Sequence, residues 1–99
     1  MTEFEKKVYN TVRKIKRGRV AAYSDIACFI GNPRSFRAVG NTLNKNHSKD
    51  IPCHRVLRKD GFVGGYNRGV KKKICLLVKE GVLIKNRRVN LKKYSWIKF

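Results

Sequence analysis

Ser24-Asp25-Ile26-Ala27-Cys28-Phe29-Ile30-Gly31-Asn32-Pro33-Arg34-Ser35-Phe36-Arg37-Ala38-Val39-Gly40-Asn41-Thr42-Leu43 reads as two short helices on either side of a tight turn. Ser24 suits an N-cap, because a hydroxyl there accepts from the orphan N–H groups of a first turn. Asp25 to Ile30 then forms a short helix, and Gly31 ends it at a position where a left-handed backbone costs glycine little. Asn32 and Pro33 restart the chain as cap and first helical residue, and Phe36, Val39 and Leu43 recur on one side of the helix that follows. Two helices joined by Gly-Asn-Pro make a helix-turn-helix, the arrangement that sets a helix in a DNA groove. Plain helical hairpins share the pattern, so the rest of the chain has to decide its use.

Upstream, Thr2 followed three residues later by Glu5 is a capping-box signature, and Phe4, Val8, Val12 and Ile15 mark one face of a helix expected over about Glu3 to Lys16. Gly18 stops it, and Arg19 to Tyr23 reads as an extended connector. Downstream, periodicity disappears from Asn44 to Tyr66, which is expected to be mostly loop. A further helix is expected from Gly69 to Glu80 with Val70, Ile74, Leu77 and Val78 inward, ended by Gly81. Val82 to Ile84 and Val89 to Leu91, split by Lys85-Asn86-Arg87-Arg88, suit a small hairpin or wing. The expected fold is mainly α with a small β element, a winged helix-turn-helix-like single domain over residues 1–99.

The chain has 99 residues, 25 Lys plus Arg against 6 Asp plus Glu, and a formal charge of +19. So large an excess repels itself in a folded body, and a polyanion is the usual reason to tolerate it. Nucleic acid is therefore the first partner expected. An aromatic content of 10% and spaced sets of Val, Ile and Leu argue against a disordered basic tail. No apolar run approaches the roughly 20 residues of a membrane span. Met1-Thr2-Glu3-Phe4-Glu5 lacks the basic and apolar regions of a secretory leader, so a protein retained inside the cell, off the membrane, is expected. Cys28, Cys53 and Cys75 are odd in number and widely spaced, which suggests neither a disulfide framework nor a metal site. Cys28 and Cys75 fall at helical spacings that suit core positions.

Ile51-Pro52-Cys53-His54-Arg55-Val56-Leu57 places a thiol beside an imidazole and a guanidinium. Cysteine attacks as the thiolate, and nearby positive charge lowers its pKa from about 8.5 towards neutrality. In an extended segment, neighbours face opposite ways, so His54 is expected to reach Cys53 only through a relay such as a water.

Read in order, several groups carry a resemblance. They are Tyr23 before Ser24-Asp25-Ile26-Ala27, Gly31-Asn32-Pro33, Arg37-Ala38-Val39-Gly40, Asn46, Pro52-Cys53-His54-Arg55-Val56, Gly64-Gly65-Tyr66, and Lys73 to Gly81 with Glu80. Together they resemble the active-site domain of the O6-alkylguanine-DNA alkyltransferases, the direct-reversal repair proteins also called methylated-DNA-protein-cysteine methyltransferases. The likeness runs from about Phe4 to Gly81, and more loosely to Tyr94-Ser95-Trp96.

The resemblance implies that Cys53 takes the alkyl group from guanine O6 in one displacement, irreversibly and once per chain, with no cofactor and no metal. His54 would act as base through a water and Glu80 as its orienter, and Tyr23 would supply a proton or a hydrogen bond near N3 of the leaving base. Backbone groups of Cys53 and Val56, with Tyr66, Asn67, Gly64 and Gly65, would form the guanine pocket, and Asn46 would bridge the recognition helix and the active-site loop. Arg37 would fill the place of the extruded nucleotide in the minor groove of double-stranded DNA, with Arg34, Ser35, Asn41 and Lys45 as further DNA contacts.

His47-Ser48-Lys49-Asp50 is more polar than the family's usual segment, and His47 reads as exposed. No domain is expected before this one. A monomer is expected, cytoplasmic and associated with the nucleoid in a prokaryote, or nuclear in a eukaryote. Two alternatives stand beside repair: a non-catalytic alkyltransferase-like lesion-binding protein, a class that usually lacks the cysteine, and a winged-helix regulator, which has no need of Pro-Cys-His-Arg-Val.

Overall fold

In the computed structural model, which describes residues 1–96, Thr2 and Glu5 close the expected capping box. The Glu5 N–H donates to Thr2 Oγ1 at 3.1 Å and the Thr2 N–H to Glu5 Oε1 at 3.0 Å. The helix so started, α1 (Glu3–Val12), buries Val8 and Val12. It ends before the expected Lys16, because the next backbone bonds tighten to three-residue spacing, Lys14 N–H to Thr11 O and Ile15 N–H to Val12 O. The tightened turn still carries Ile15 into the core at 1% exposure.

The connector becomes β1 (Ala21–Ala22), which pairs in parallel with β2 (Val56–Leu57) and so brings the Cys53 loop against the helix-turn-helix. The next helix, α2 (Tyr23–Phe29), begins two residues earlier than expected. Ser24 is not its cap; the Asp25 carboxylate reaches back to the Ala22 N–H at 2.9 Å and satisfies the first turn. Gly31, at φ +85°, turns the chain as expected. Asn32 does not cap with its side chain either. Pro33–Ser35 forms one 3-10 turn, locked by Ser35 Oγ donating to Asn32 O at 2.6 Å, and α3 (Phe36–Asn44) follows it. The inward face of α3 is Val39, Thr42 and Leu43, whereas Phe36 is 45% exposed rather than buried. The Tyr9 hydroxyl donates to Thr42 O at 2.8 Å and ties α1 to α3.

α4 (Val70–Lys79) presents Leu77 and Lys73 to the interior, with Val70 and Ile74 partly covered. Val78, expected inward, is 55% exposed, since the buried stripe is centred one residue nearer the Lys73 side. Two residues at positive φ, Asn86 and Arg87, close the hairpin of β3 (Ile84–Lys85) and β4 (Arg88–Val89). A short α5 (Leu91–Tyr94), absent from the sequence reading, is capped by Asn90. Cys28 and Cys75 are exposed, not core residues. The molecule is thus mostly helical with two small sheets, as expected. The core divides into an α1–α3 cluster that includes Cys53 and a cluster of Val20, Leu57, Val63, Leu77, Val82 and Val89 around α4 and the hairpin.

No described helix is long and apolar enough to cross a membrane. Among the described residues, no group of three His, Cys, Asp or Glu stands close enough to hold a metal ion.

Candidate active site

Cys53 opens a 3-10 turn, Cys53–Arg55, where the sequence suggested an extended strand. Ile51-Pro52 bends the chain just before it, and the Cys53 N–H donates back to Ile51 O at 2.8 Å. Cys53 is 8% exposed but not sealed, since it lines two cavities. One, of about 300 Å³, is bounded by Asn46, Ile51, His54, Tyr66, Asn67 and Arg68 among others, and lies at the small end for a ligand site. The other, of about 30 Å³, lies between Cys53, Tyr23, Gly65 and Tyr66 and is roughly the size of one water.

Asn46 follows the last turn of α3, its N–H bonded to Leu43 O, and donates Nδ2–H to Cys53 Sγ at 3.1 Å. Its position is therefore that of a bridge between helix and thiol. Asn67 buttresses it, donating Nδ2–H to Asn46 O at 2.6 Å and to Asn44 O at 3.1 Å.

His54 Nε2 lies 2.8 Å from Glu80 Oε2 at the end of α4. An ionised carboxylate only accepts, so Nε2 carries the proton and Nδ1 keeps a free lone pair. Arg55 holds the same carboxylate with Nε at 2.9 Å and Nη2 at 2.8 Å, and spends Nη1 on Ile15 O at 2.8 Å. Glu80 thus accepts three charge-assisted bonds and cannot rotate away from His54. Arg55 was visible in the sequence only as part of a motif, and its fork geometry is what gives it this use.

Burial sets the proton affinities. It pushes the Cys53 thiol up, and the Asn46 bond with the charges of Lys73 and Arg68 offsets only part of that. Burial likewise pulls His54 down against the opposing pull of Glu80, so the ring is neutral near pH 7. Burial alone would raise the Glu80 carboxyl, but the bonds from Arg55 and His54 outweigh it and hold the group below its ordinary range. The charges that act on the thiol are those of Lys73 and Arg68 rather than the neighbouring Arg55 expected from the sequence, which is committed to Glu80, and they lose to desolvation, so attack by this thiol needs a base. Burial, then the nearby Cys53, raises Tyr23, which keeps its phenolic proton.

Sequence reasoning missed Lys73. It is fully buried, donates Nζ–H to Gly65 O at 3.0 Å and stands 5.8 Å from the Tyr23 ring centroid. Burial lowers its pKa to about 8. A lysine inside an apolar helical stripe was the available signal, because an unpaired surface lysine has no reason to fall there.

Other expected residues are placed less centrally. Val56 is fully buried on β2, gives its N–H to Cys53 O and lines neither cavity. Gly65 and Tyr66 line the small cavity, whereas Gly64 packs against the stem of Arg58 instead. Arg34, Arg37, Asn41 and Lys45 are exposed, and Ser35 is half-buried. Arg37 lies 6.0 Å from the Phe36 ring, and Lys45 Nζ is 3.5 Å from Glu5. His47 is exposed.

Residues 3–82 match the family described as "6-O-methylguanine DNA methyltransferase, DNA binding domain". The methylated-DNA-protein-cysteine methyltransferase of Metallosphaera sedula is 52% identical over 83 residues, which is 83% of this chain and 51% of that protein. The Kluyveromyces lactis protein of the same name is 41% identical over 80 residues, 80% of this chain and 42% of its own length. The chain spans about half or less of such relatives. Among solved structures, Schizosaccharomyces pombe Atl1 bound to damaged DNA containing O6-carboxymethylguanine superposes with a TM-score of 0.89 at 31% identity, over 98% of this chain and 97% of that one. Mycobacterium tuberculosis OGT in complex with DNA gives 0.78 at 36% identity, over 81% and 50%.

Proposed function

Because the chain belongs to the 6-O-methylguanine DNA methyltransferase family through its DNA-binding domain, we propose that it repairs O6-alkylguanine in duplex DNA by moving the alkyl group to Cys53. The observation that carries this reading is the thiol at the wall of two cavities with a carboxylate-oriented, neutral imidazole as the next residue.

The chemistry follows from the proton affinities. His54 Nδ1 takes the thiol proton, through a relay, since among the described residues it makes no direct bond to Cys53. The sulfur attacks the alkyl carbon as the carbon–O6 bond breaks, and the electron pair leaves with guanine. Tyr23 gives that base a proton and regains one through solvent as His54 releases the thiol proton, so no bare anion departs and the protons balance. The product is a thioether. It offers no leaving group, so each chain acts once.

The lesion atom is hidden in a stacked duplex, and extruding it costs a few kcal/mol. Arg37, exposed on α3, fills the vacated place in the minor groove, and Arg34, Ser35, Asn41 and Lys45 contact the strands around it. The chain acts as a monomer wherever the cell keeps its DNA.

A second reading, lesion binding without transfer, is favoured by the near-complete mutual coverage with Atl1. Intact-mass analysis after mixing with an O6-methylguanine oligonucleotide separates the two. One added methyl group mapped to Cys53 is expected, and absent from Cys53→Ser. Tight binding with no mass change overturns transfer in favour of the second reading.

A further inference from the structure

The larger cavity at the thiol has a wall that transfer of a methyl group does not use. Lys49, Arg68 and Lys72 line it beside the apolar surfaces of Ile51, Tyr66 and Leu76, and no carboxylate among the described residues does. Asp50 follows Lys49 in the chain but is not part of the wall. Neither it nor the three cations form an ion pair among the described residues.

The wall is held from both sides. Arg68 donates Nη2–H to His47 O at 2.9 Å and Asn67 donates Nδ2–H to Asn46 O at 2.6 Å, which clasps the loop before Cys53 to the turn before α4. The loop is folded on itself by the Ser48 N–H to Asn46 Oδ1 at 3.0 Å and the Asp50 N–H to Ser48 Oγ at 3.3 Å. Fixed through one nitrogen, Arg68 keeps further N–H donors for another acceptor. Its charge reaches both the Cys53 thiol and the Tyr66 hydroxyl.

Position decides which part of a lesion meets these cations. Tyr23, assigned above to the leaving base, borders the smaller cavity and not the larger, whereas His54 borders the larger and not the smaller. The base therefore lies on the Tyr23 side of the sulfur, and the substituent on O6 projects into the cationic cavity. A methyl group offers a cation nothing to bind. A carboxylate carried on the transferred carbon accepts charge-assisted bonds from a guanidinium, which also offsets its repulsion of the attacking thiolate.

We propose that this cavity selects O6 substituents that end in a carboxylate, carboxymethyl being the smallest, with Arg68 as the specificity-determining residue and Lys72 and Lys49 completing the cationic wall. The proposal rests on the repair reading above and names a class of lesion for it. The sulfur–methylene bond forms as the carbon–O6 bond breaks, the electron pair leaves with guanine, and the protons move as for methyl. The product is S-carboxymethylcysteine.

Charge is separated from size by three duplex oligonucleotides of one sequence, carrying O6-carboxymethylguanine, its neutral near-isostere O6-carbamoylmethylguanine, or O6-methylguanine. Adduct formation at Cys53 is timed by intact mass. The amide alters the intrinsic reactivity of its carbon, so the readout is the carboxymethyl-to-carbamoylmethyl rate ratio of each variant relative to wild type. In Arg68→Met that ratio is expected to fall about tenfold, as for loss of one hydrogen bond to a charged group. It is expected to fall further in Arg68→Met/Lys72→Met and to keep the wild-type value in Lys92→Gln/Lys93→Gln, a matched charge loss on α5. Cations that serve only the DNA backbone slow all three lesions alike. An unchanged ratio in Arg68→Met, or an equal fall in the α5 variant, therefore overturns the selectivity while methyl transfer by the wild-type chain keeps the repair reading intact. No transfer from any of the three lesions by the wild-type chain overturns both.

Discussion

Lys73 links the proton affinity of the thiol, to which it is one contributor behind burial and the Asn46 bond, to the stability of the fold. Among the described residues its ammonium has one acceptor, Gly65 O, and it has no water-facing surface; its pKa falls from 10.5 to about 8. At about 1.4 kcal/mol for each tenfold change in proton affinity, the charged form costs the fold roughly 3 kcal/mol near neutral pH. The sign follows from linkage. Between about 8 and 10.5 the unfolded chain binds the proton and the folded chain does not, so this group adds stability as pH rises through that window. The same charge favours the Cys53 thiolate. Lys73→Met is therefore expected to unfold at higher urea at pH 7, by up to roughly 3 kcal/mol, with the advantage over wild type shrinking by pH 10. Its reaction with iodoacetamide at pH 7 is expected to slow several-fold as the thiol pKa rises. Faster alkylation in Lys73→Met, or an advantage that does not change with pH, would show that the buried charge serves neither purpose.

The elements differ in how much of them is local. The Thr2–Glu5 box and the Gly31 turn were legible because each is complete within a few residues. The start of α2 was not, since Asp25 caps from inside the helix and leaves Ser24, the usual residue type, unused. Cys53, His54, Glu80 and Tyr23 were picked out by motif, but the 3-10 turn that aims the thiol spans three residues and has no period to detect. Phe36 kept helical spacing yet faces out, because the Pro33–Ser35 turn shifts where α3 begins. The hairpin was legible as two β-prone runs, with its turn one residue inside each expected edge. That turn puts Asn86 at φ 52° and Arg87 at φ 60°. Asparagine tolerates this region, whereas arginine meets a steric cost of roughly 1 kcal/mol there. Arg87→Gly is expected to raise unfolding stability by about 0.5–1 kcal/mol, read as a higher urea midpoint at an unchanged slope. A lower midpoint would mean that the Arg87 side chain contributes more than its backbone costs.

At the scale of the whole molecule, the charge of +19 acts on two equilibria with opposite signs. The acidic groups are few and mostly engaged at home: Glu80 with Arg55 and His54, Asp25 at the start of α2, Glu5 in its capping box, Asp60 with Arg88. The cations therefore have little internal compensation, and their mutual repulsion destabilises the compact state. Added salt shortens the reach of that repulsion, from about 30 Å at 0.01 M to about 8 Å at 0.15 M, so thermal stability is expected to climb across this range. Duplex binding is expected to move the other way, because each phosphate neutralised releases condensed counterions that added salt drives back. If the helix-turn-helix and the basic surface around it engage six or more phosphates, affinity drops by about a thousandfold or more between 50 and 200 mM. Melting by calorimetry and binding by anisotropy, run in the same potassium chloride series, are expected to give slopes of opposite sign. Flat binding with rising stability would leave the positive surface without a polyanion to hold and detach it from the proposed repair chemistry. Falling stability with salt would mean that specific anions or ion pairs, not the net repulsion, dominate the fold.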